Sequence, residues 1–162
     1  MKYPIFKTIL FGLLALAIFS CSEDEEVVIT DVRDQSLGTY NYRIKFYDEN
    51  GAYVSGADEI GTFVVKKNTA NDKTIDIEEG GEMFFKGNKI ETASNGFTFD
   101  VPSQTTTDAD GVTITIIGYD GWDLAGTTYH GAYETVAKKI TAYFEANYDG
   151  IIIRFEVIAT KI

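Results

Sequence analysis

The sequence predicts an all-β domain, barrel or sandwich, and three observations carry that prediction. Short runs of β-branched and aromatic residues alternate with polar ones at period two. Turn signals separate these runs at regular intervals. Helical spacing competes with strand spacing over only one stretch, late in the chain.

The first strand is the clearest. Tyr40, Tyr42, Ile44 and Phe46 alternate with Asn41, Arg43 and Lys45, and alternate side chains of a strand face opposite sides of a sheet. Asn50-Gly51 marks the turn that follows. Gly61 to Lys67 is a second strand with Phe63 and Val65 on one face, and 68–72 is a polar loop. Thr74 to Glu78 alternates again and stops at Gly80-Gly81. Glu82 to Lys86 is short and apolar. Asn95-Gly96 introduces Phe97 to Val101, which Pro102 closes because proline cannot donate to a ladder. Ser103 to Asp110 reads as a Thr-rich loop, and Val112 to Ile117 as a strand with its threonines on one face. Asp149-Gly150 turns into a last strand, Ile151 to Ile158.

The ambiguous stretch is 132–147. Tyr133, Val136, Ala137, Ile140, Tyr143 and Phe144 fit helical spacing. A strand from about Lys139 to Asn147 also fits, and it feeds the Asp-Gly turn directly. The strand is the preferred reading, with one short helix over 133–138 as its companion.

The first twenty residues differ from the rest. Lys2 and Lys7 make a positive start, and Ile9 to Phe19 is an uncharged apolar run. That run falls short of the roughly 20 residues a spanning helix needs, so it reads as a secretory signal peptide. Ser20-Cys21-Ser22 ends it with the sole cysteine of the chain. Ile18, Ser20 and Cys21 resemble the lipobox of bacterial lipoproteins, and Phe19 resembles the looser form found in Bacteroidetes-type bacteria. The resemblance implies that Cys21 is lipidated and becomes the new N-terminus. Its three acyl chains would then hold the protein on a membrane, where one chain holds only marginally. Glu23, Asp24, Glu25 and Glu26 follow. As like charges they make an extended tether, and they resemble the surface-export signal of the same lipoproteins. The expected organisation is a signal peptide over 1–20, an acidic tether over 21–36 and one β domain over 37–162. Cleavage removes two lysines and no acids, which takes the net charge from −11 to −13. The expected location is the outer membrane, lipid-anchored and exposed at the cell surface.

Composition excludes several functions. Acids outnumber bases 25 to 14, which argues against a nucleic-acid partner. One cysteine forbids an internal disulfide, and one cysteine with one histidine cannot build the usual zinc site. The chain carries no P-loop, dinucleotide-binding glycine pattern, His-Glu-x-x-His or Gly-x-Ser-x-Gly. Neither an enzymatic activity nor a cofactor or metal is expected. Asp108-Ala109-Asp110-Gly111 reads as a polar turn. A calcium loop would separate the glycine from that acid and place a Glu six residues on, where Ile117 stands.

Gly38-Thr39-Tyr40 opens the first strand where lipocalins have Gly-x-Trp, with Tyr40 in the place of the tryptophan. The strand layout and Tyr129-His130-Gly131-Ala132-Tyr133 are similar to the small lipocalin-like or calycin-like β-barrel lipoproteins of Bacteroidetes-type bacteria. The resemblance implies a single antiparallel up-and-down barrel of about eight strands with a small apolar ligand inside. A β-sandwich is the alternative.

Tyr119, Trp122, Tyr129, His130 and Tyr133 crowd one short stretch, with Asp120 and Asp123 among them. They read as an aromatic platform for a glycan or apolar ligand, or as rings folded back over a barrel end. His130 has no nucleophile beside it in sequence, so a structural or exposed role is favoured over catalysis. Two functions then compete: a non-enzymatic binding module for a small apolar molecule or glycan, and an accessory interaction protein of an outer-membrane complex with a filled core. An apolar cavity of about 300 Å³ or more separates them. Tyr40, Tyr42, Phe46, Phe63, Phe85, Phe97, Phe99 and Phe155 are the large rings expected to fill the interior or line it.

Overall fold

The computed structural model describes residues 31–107, 112–119, 129–148 and 150–162. These contain β1 Gly38–Tyr47, β2 Glu59–Lys67, β3 Ile75–Glu79, β4 Glu82–Ala93, β5 Gly96–Asp100, β6 Gln104–Thr107, β7 Thr113–Gly118, β8 Gly131–Glu134, β9 Lys139–Tyr148 and β10 Ile151–Lys161. Every pairing is antiparallel, in the order β10-β1-β2-β3-β4-β5-β8-β9, and β9 pairs with β10 to close the ring. β6 pairs with β7, and β7 pairs with the second half of β9 just as β8 pairs with the first. β5 with β6, and β7 with β8, are therefore two interrupted strands of a closed eight-stranded, up-and-down barrel. The sandwich alternative is replaced by this closure.

Alternation builds the interior. Tyr40, Tyr42 and Ile44 of β1, Phe63 and Val65 of β2, Ile75 and Ile77 of β3, and Val157 and Ala159 of β10 are all buried. The intervening residues face out, as period-two side chains must. Phe99 fits because its neighbours are small. A Cβ on Gly131 would stand 2.3 Å from the Phe99 ring, and one on Gly87 2.6 Å from it. Alternating large and small residues is how a small barrel fills its taper.

The closure carries its own staple on the outer wall. Glu156 of β10 accepts from Lys45 Nζ (2.9 Å) and Tyr47 (3.0 Å) of β1, and from Tyr143 (3.2 Å) of β9. Burial pushes the Glu156 carboxyl up, but Lys45 and the two tyrosines outweigh it and hold the group below its ordinary value. Burial and the adjacent carboxylate push the Tyr47 phenol up to about 12.

Several expectations change. Gln104–Thr107 is a strand, not part of a polar loop. Its threonines alternate on the ladder with β7, and β-branched residues suit a pleated surface. β4 continues to Ala93 rather than stopping at Lys86, because a β-bulge absorbs the Asn88–Glu91 irregularity with Lys89 at positive φ. The late stretch holds β8, a turn over 135–138 and β9, and no helix lies over 133–138. Pairing of β8 with both β5 and β9 outweighs the local helical spacing. The last strand runs on to Lys161, where it meets Tyr40. Among the described residues, the turn Val32–Gln35 already packs on the domain, ahead of Leu37.

Candidate functional site

The two ends of the barrel are built differently. At the end where β1 begins, the 3₁₀ turn Val32–Gln35 lies across the strands. Val32 packs on the core and Arg33 is buried. The Arg33 guanidinium donates to Asp31 (Nε 3.0 Å, Nη2 2.7 Å) and to the carbonyls of Asn71 (2.9 Å) and Thr74 (3.0 Å). Arg33 holds the Asp31 carboxyl far below the usual carboxylate range. Tyr40 donates to Ser36 O, and Tyr133 and Lys161 donate to Gln35 O. A short, locally capped turn is thereby fastened to β1, β8, β10 and the loop before β3. This end is plugged.

The opposite end holds a cavity of about 610 Å³. Its wall is Ile44 and Phe46 of β1, Met83 and Phe84 of β4, Thr106 of β6, Ile114 and Ile116 of β7, Phe144, Ala146 and Tyr148 of β9, and Phe155 of β10. All are contributed by the halves of these strands remote from the plug. Phe84 is there because of a second bulge. β4 passes from Phe85, opposite Ile77, to Met83, opposite Glu78, and the extra residue turns its ring to the cavity while Phe85 stays fully buried. Rings organise the wall: Phe46 meets Phe155 edge-on at 5.0 Å, and Phe155 stacks on Phe144 at 5.3 Å. Phe84 packs against Tyr42 (6.0 Å) and Phe144 (6.2 Å).

Side chains replace a backbone ladder on one side of this half. β4 and β6 lie side by side, but Gln104 Oε1 accepts from Lys86 N (2.9 Å) and Thr106 Oγ1 donates to Met83 O (3.1 Å). Pro102, between β5 and β6, interrupts the strand that would otherwise pair there.

Three carboxylates complete the lining: Glu59, Glu79 and Glu82. Glu79 and Glu82 face each other across the Gly80-Gly81 turn, and Tyr42 donates its hydroxyl to Glu79 Oε1. Burial, then Glu79, then Glu59 push the Tyr42 phenol well above its ordinary value.

The site expected from sequence is dispersed among the described residues. Tyr133 is buried at the plugged end against Phe97. Tyr129 donates to Glu91 (2.8 Å) on the surface. The Arg154 guanidinium lies 4.2 Å from the centre of the Tyr119 ring. His130 accepts at Nδ1 from Val101 N (3.1 Å) and crosses Gly118, where any Cβ would strike its ring. His130, just before β8, thereby bridges the residue after β5 and the end of β7. None of these four lines the cavity. Trp122, Asp120, Asp123, the 108–111 turn, Cys21 and Glu23, Asp24, Glu25 and Glu26 lie outside the described residues.

Of the eight large rings anticipated for the interior, Phe46 and Phe155 line the cavity; Tyr40, Tyr42, Phe63, Phe85, Phe97 and Phe99 fill the rest. Sequence reasoning missed the three glutamates and Phe84. Strand parity places Glu59 on the face of Phe63 and Glu79 on that of Ile77, so a signal existed for those two. The bulge hid Phe84. In comparisons with known proteins, the chain matches no family model, no curated protein and no solved structure.

Proposed function

We propose that this chain is a non-enzymatic binding module that takes one small, largely apolar molecule in the open half of its barrel. The observation that carries the proposal is the 610 Å³ cavity. It falls within the roughly 300–1,000 Å³ of small-molecule sites and is walled mainly by hydrocarbon. The plug supports the same reading, since it makes a cup with one mouth rather than a tube. A filled-core accessory protein has no use for such a space. The aromatic platform for a glycan is less favoured, because its four described residues stand elsewhere.

The lipobox-like Ile18-Phe19-Ser20-Cys21 and the acidic run after it support a lipid-anchored position on the outer membrane, facing outward. The lipocalin-like lipoproteins remain the family whose layout the chain resembles.

Native mass spectrometry of the full chain extracted from its membrane tests the binding reading. A small organic adduct is expected, lost on denaturation and lost when Ala146→Phe fills the cup. A protein of bare polypeptide-plus-acyl mass that also takes up no added apolar probe would refute it. Cys21→Ala should move the protein out of the membrane fraction; unchanged retention would refute the anchor.

A further inference from the structure

The cup is not chemically neutral. Its floor and walls are apolar, yet Glu59, Glu79 and Glu82 line it as well. Among the described residues no lysine, arginine or histidine does so, and none of the three carboxylates forms an ion pair with a described basic residue. Glu79 and Glu82 are directly opposite across a ladder, an arrangement that costs stability for like charges. The strand connections tell the same story by end. Over 48–58, at the open end, stand Asp48, Glu49 and Asp58 and no basic residue. At the plugged end Arg33, Lys73 and Lys138 balance Asp31, Asp34 and Asp72. The connection at the mouth is the more acidic of the two ends, with Arg43 pairing Asp58 and leaving Asp48 and Glu49 in excess.

We infer that the occupant of the cup is an amphipathic cation, an ammonium or amidinium group on an apolar ring or chain. This rests on the binding reading above and names its ligand class. The apolar body lies among Phe46, Phe84, Phe144 and Phe155, whose ring faces also attract a cation entering past them. The charged end sits beside Glu79. Tyr42 occupies Oε1 of that carboxylate and orients it, which leaves Oε2 for the ligand. A bare divalent ion is the wrong size. Among the described residues no three acidic or histidine side chains converge enough to hold a metal. A fatty-acid carboxylate would meet three like charges at the mouth, which selects against anions by repulsion.

The test is isothermal titration of the full chain with three probes of one chain length: octylamine, octanol and octanoate, at pH 7 and low salt. Octylammonium should bind about tenfold more tightly than octanol, the worth of one charge-assisted hydrogen bond. Octanoate should bind weakest. Glu79→Gln keeps an acceptor for Tyr42, so it should fold normally. It should bring octylamine down to the octanol affinity and leave octanol unchanged. Glu82→Gln, at the exposed rim, should narrow the preference part of the way. Equal affinities for octylamine and octanol, or a preference for octanoate, would overturn the cation inference while leaving the binding reading intact. Failure of all three to bind would overturn the binding reading and this inference with it.

Discussion

Arg33→Met should loosen the plug and cost the domain about 3 kcal/mol. Methionine keeps the apolar stem and deletes the guanidinium. Thr74 O then loses a buried donor at 3.0 Å, and a hydrogen bond to a charged group is worth about 1.5–3 kcal/mol. Asn71 O loses one as well, but Asn71 is exposed and water can replace most of it. The ion pair with Asp31, at 2.7 Å and partly screened, adds about 1 kcal/mol or less. At roughly 3–4 °C per kcal/mol for a domain of this size, the melting temperature should fall by about 10 °C at pH 7. Thermal unfolding followed by circular dichroism reads the shift. Its pH dependence has a definite sign. Arg33 depresses the Asp31 pKa from its ordinary 3.8, so the stability that pair contributes is present above pH 4. It is lost as pH falls toward the folded-state value. The gap between wild type and variant should narrow as the pH is lowered from 5 toward 2. A shift under about 3 °C at pH 7, or a gap that widens in acid, would refute the account of the plug.

Two further predictions follow from the interior. Gly131→Ala should destabilise by about 2–3 kcal/mol through overpacking against Phe99. Combined with Phe99→Leu it should cost less than the two separate changes together, and urea unfolding of the four proteins measures that coupling. Ala146→Phe should do the reverse of a core lesion: it places a ring in the cavity, so the melting temperature should hold or rise while titrated octanol no longer binds. A fallen melting temperature with binding intact would show that the ring points elsewhere.

Most of the barrel is legible in the residues. β1, β3, β5, β7 and β10 each announce themselves by alternation and by an Asn-Gly, Gly-Gly or Asp-Gly boundary, β2 shows itself by alternation, and β9 by the Asp-Gly turn it feeds. β8 does not. It has four residues, Gly131–Glu134, and no pattern of its own. Its conformation is imposed by the ladders on either side. β6 fails for a related reason: four threonine-rich residues look like a loop until β7 pairs with them. The candidate site fared worse, because rings close in sequence need not be close in space. Tyr129 and Tyr133 are both exposed enough in sequence context to suggest one platform, yet one donates to Glu91 on the surface and the other to Gln35 inside the plug.

What the sequence determined by itself is the β class, the number and order of most strands, and the acidic excess. These follow from local periodicity and composition, and no partner strand is needed to read them. Whether the barrel's interior is filled or hollow was decided only in three dimensions. The same alternation of large apolar residues serves both halves. A buried arginine turn covers one end, a bulge turns Phe84 inward at the other, and three glutamates of β2, β3 and β4 are brought to its mouth by the pairing of those strands. Cavity volume depends on which side chains face each other across the barrel, and that register belongs to the closed sheet.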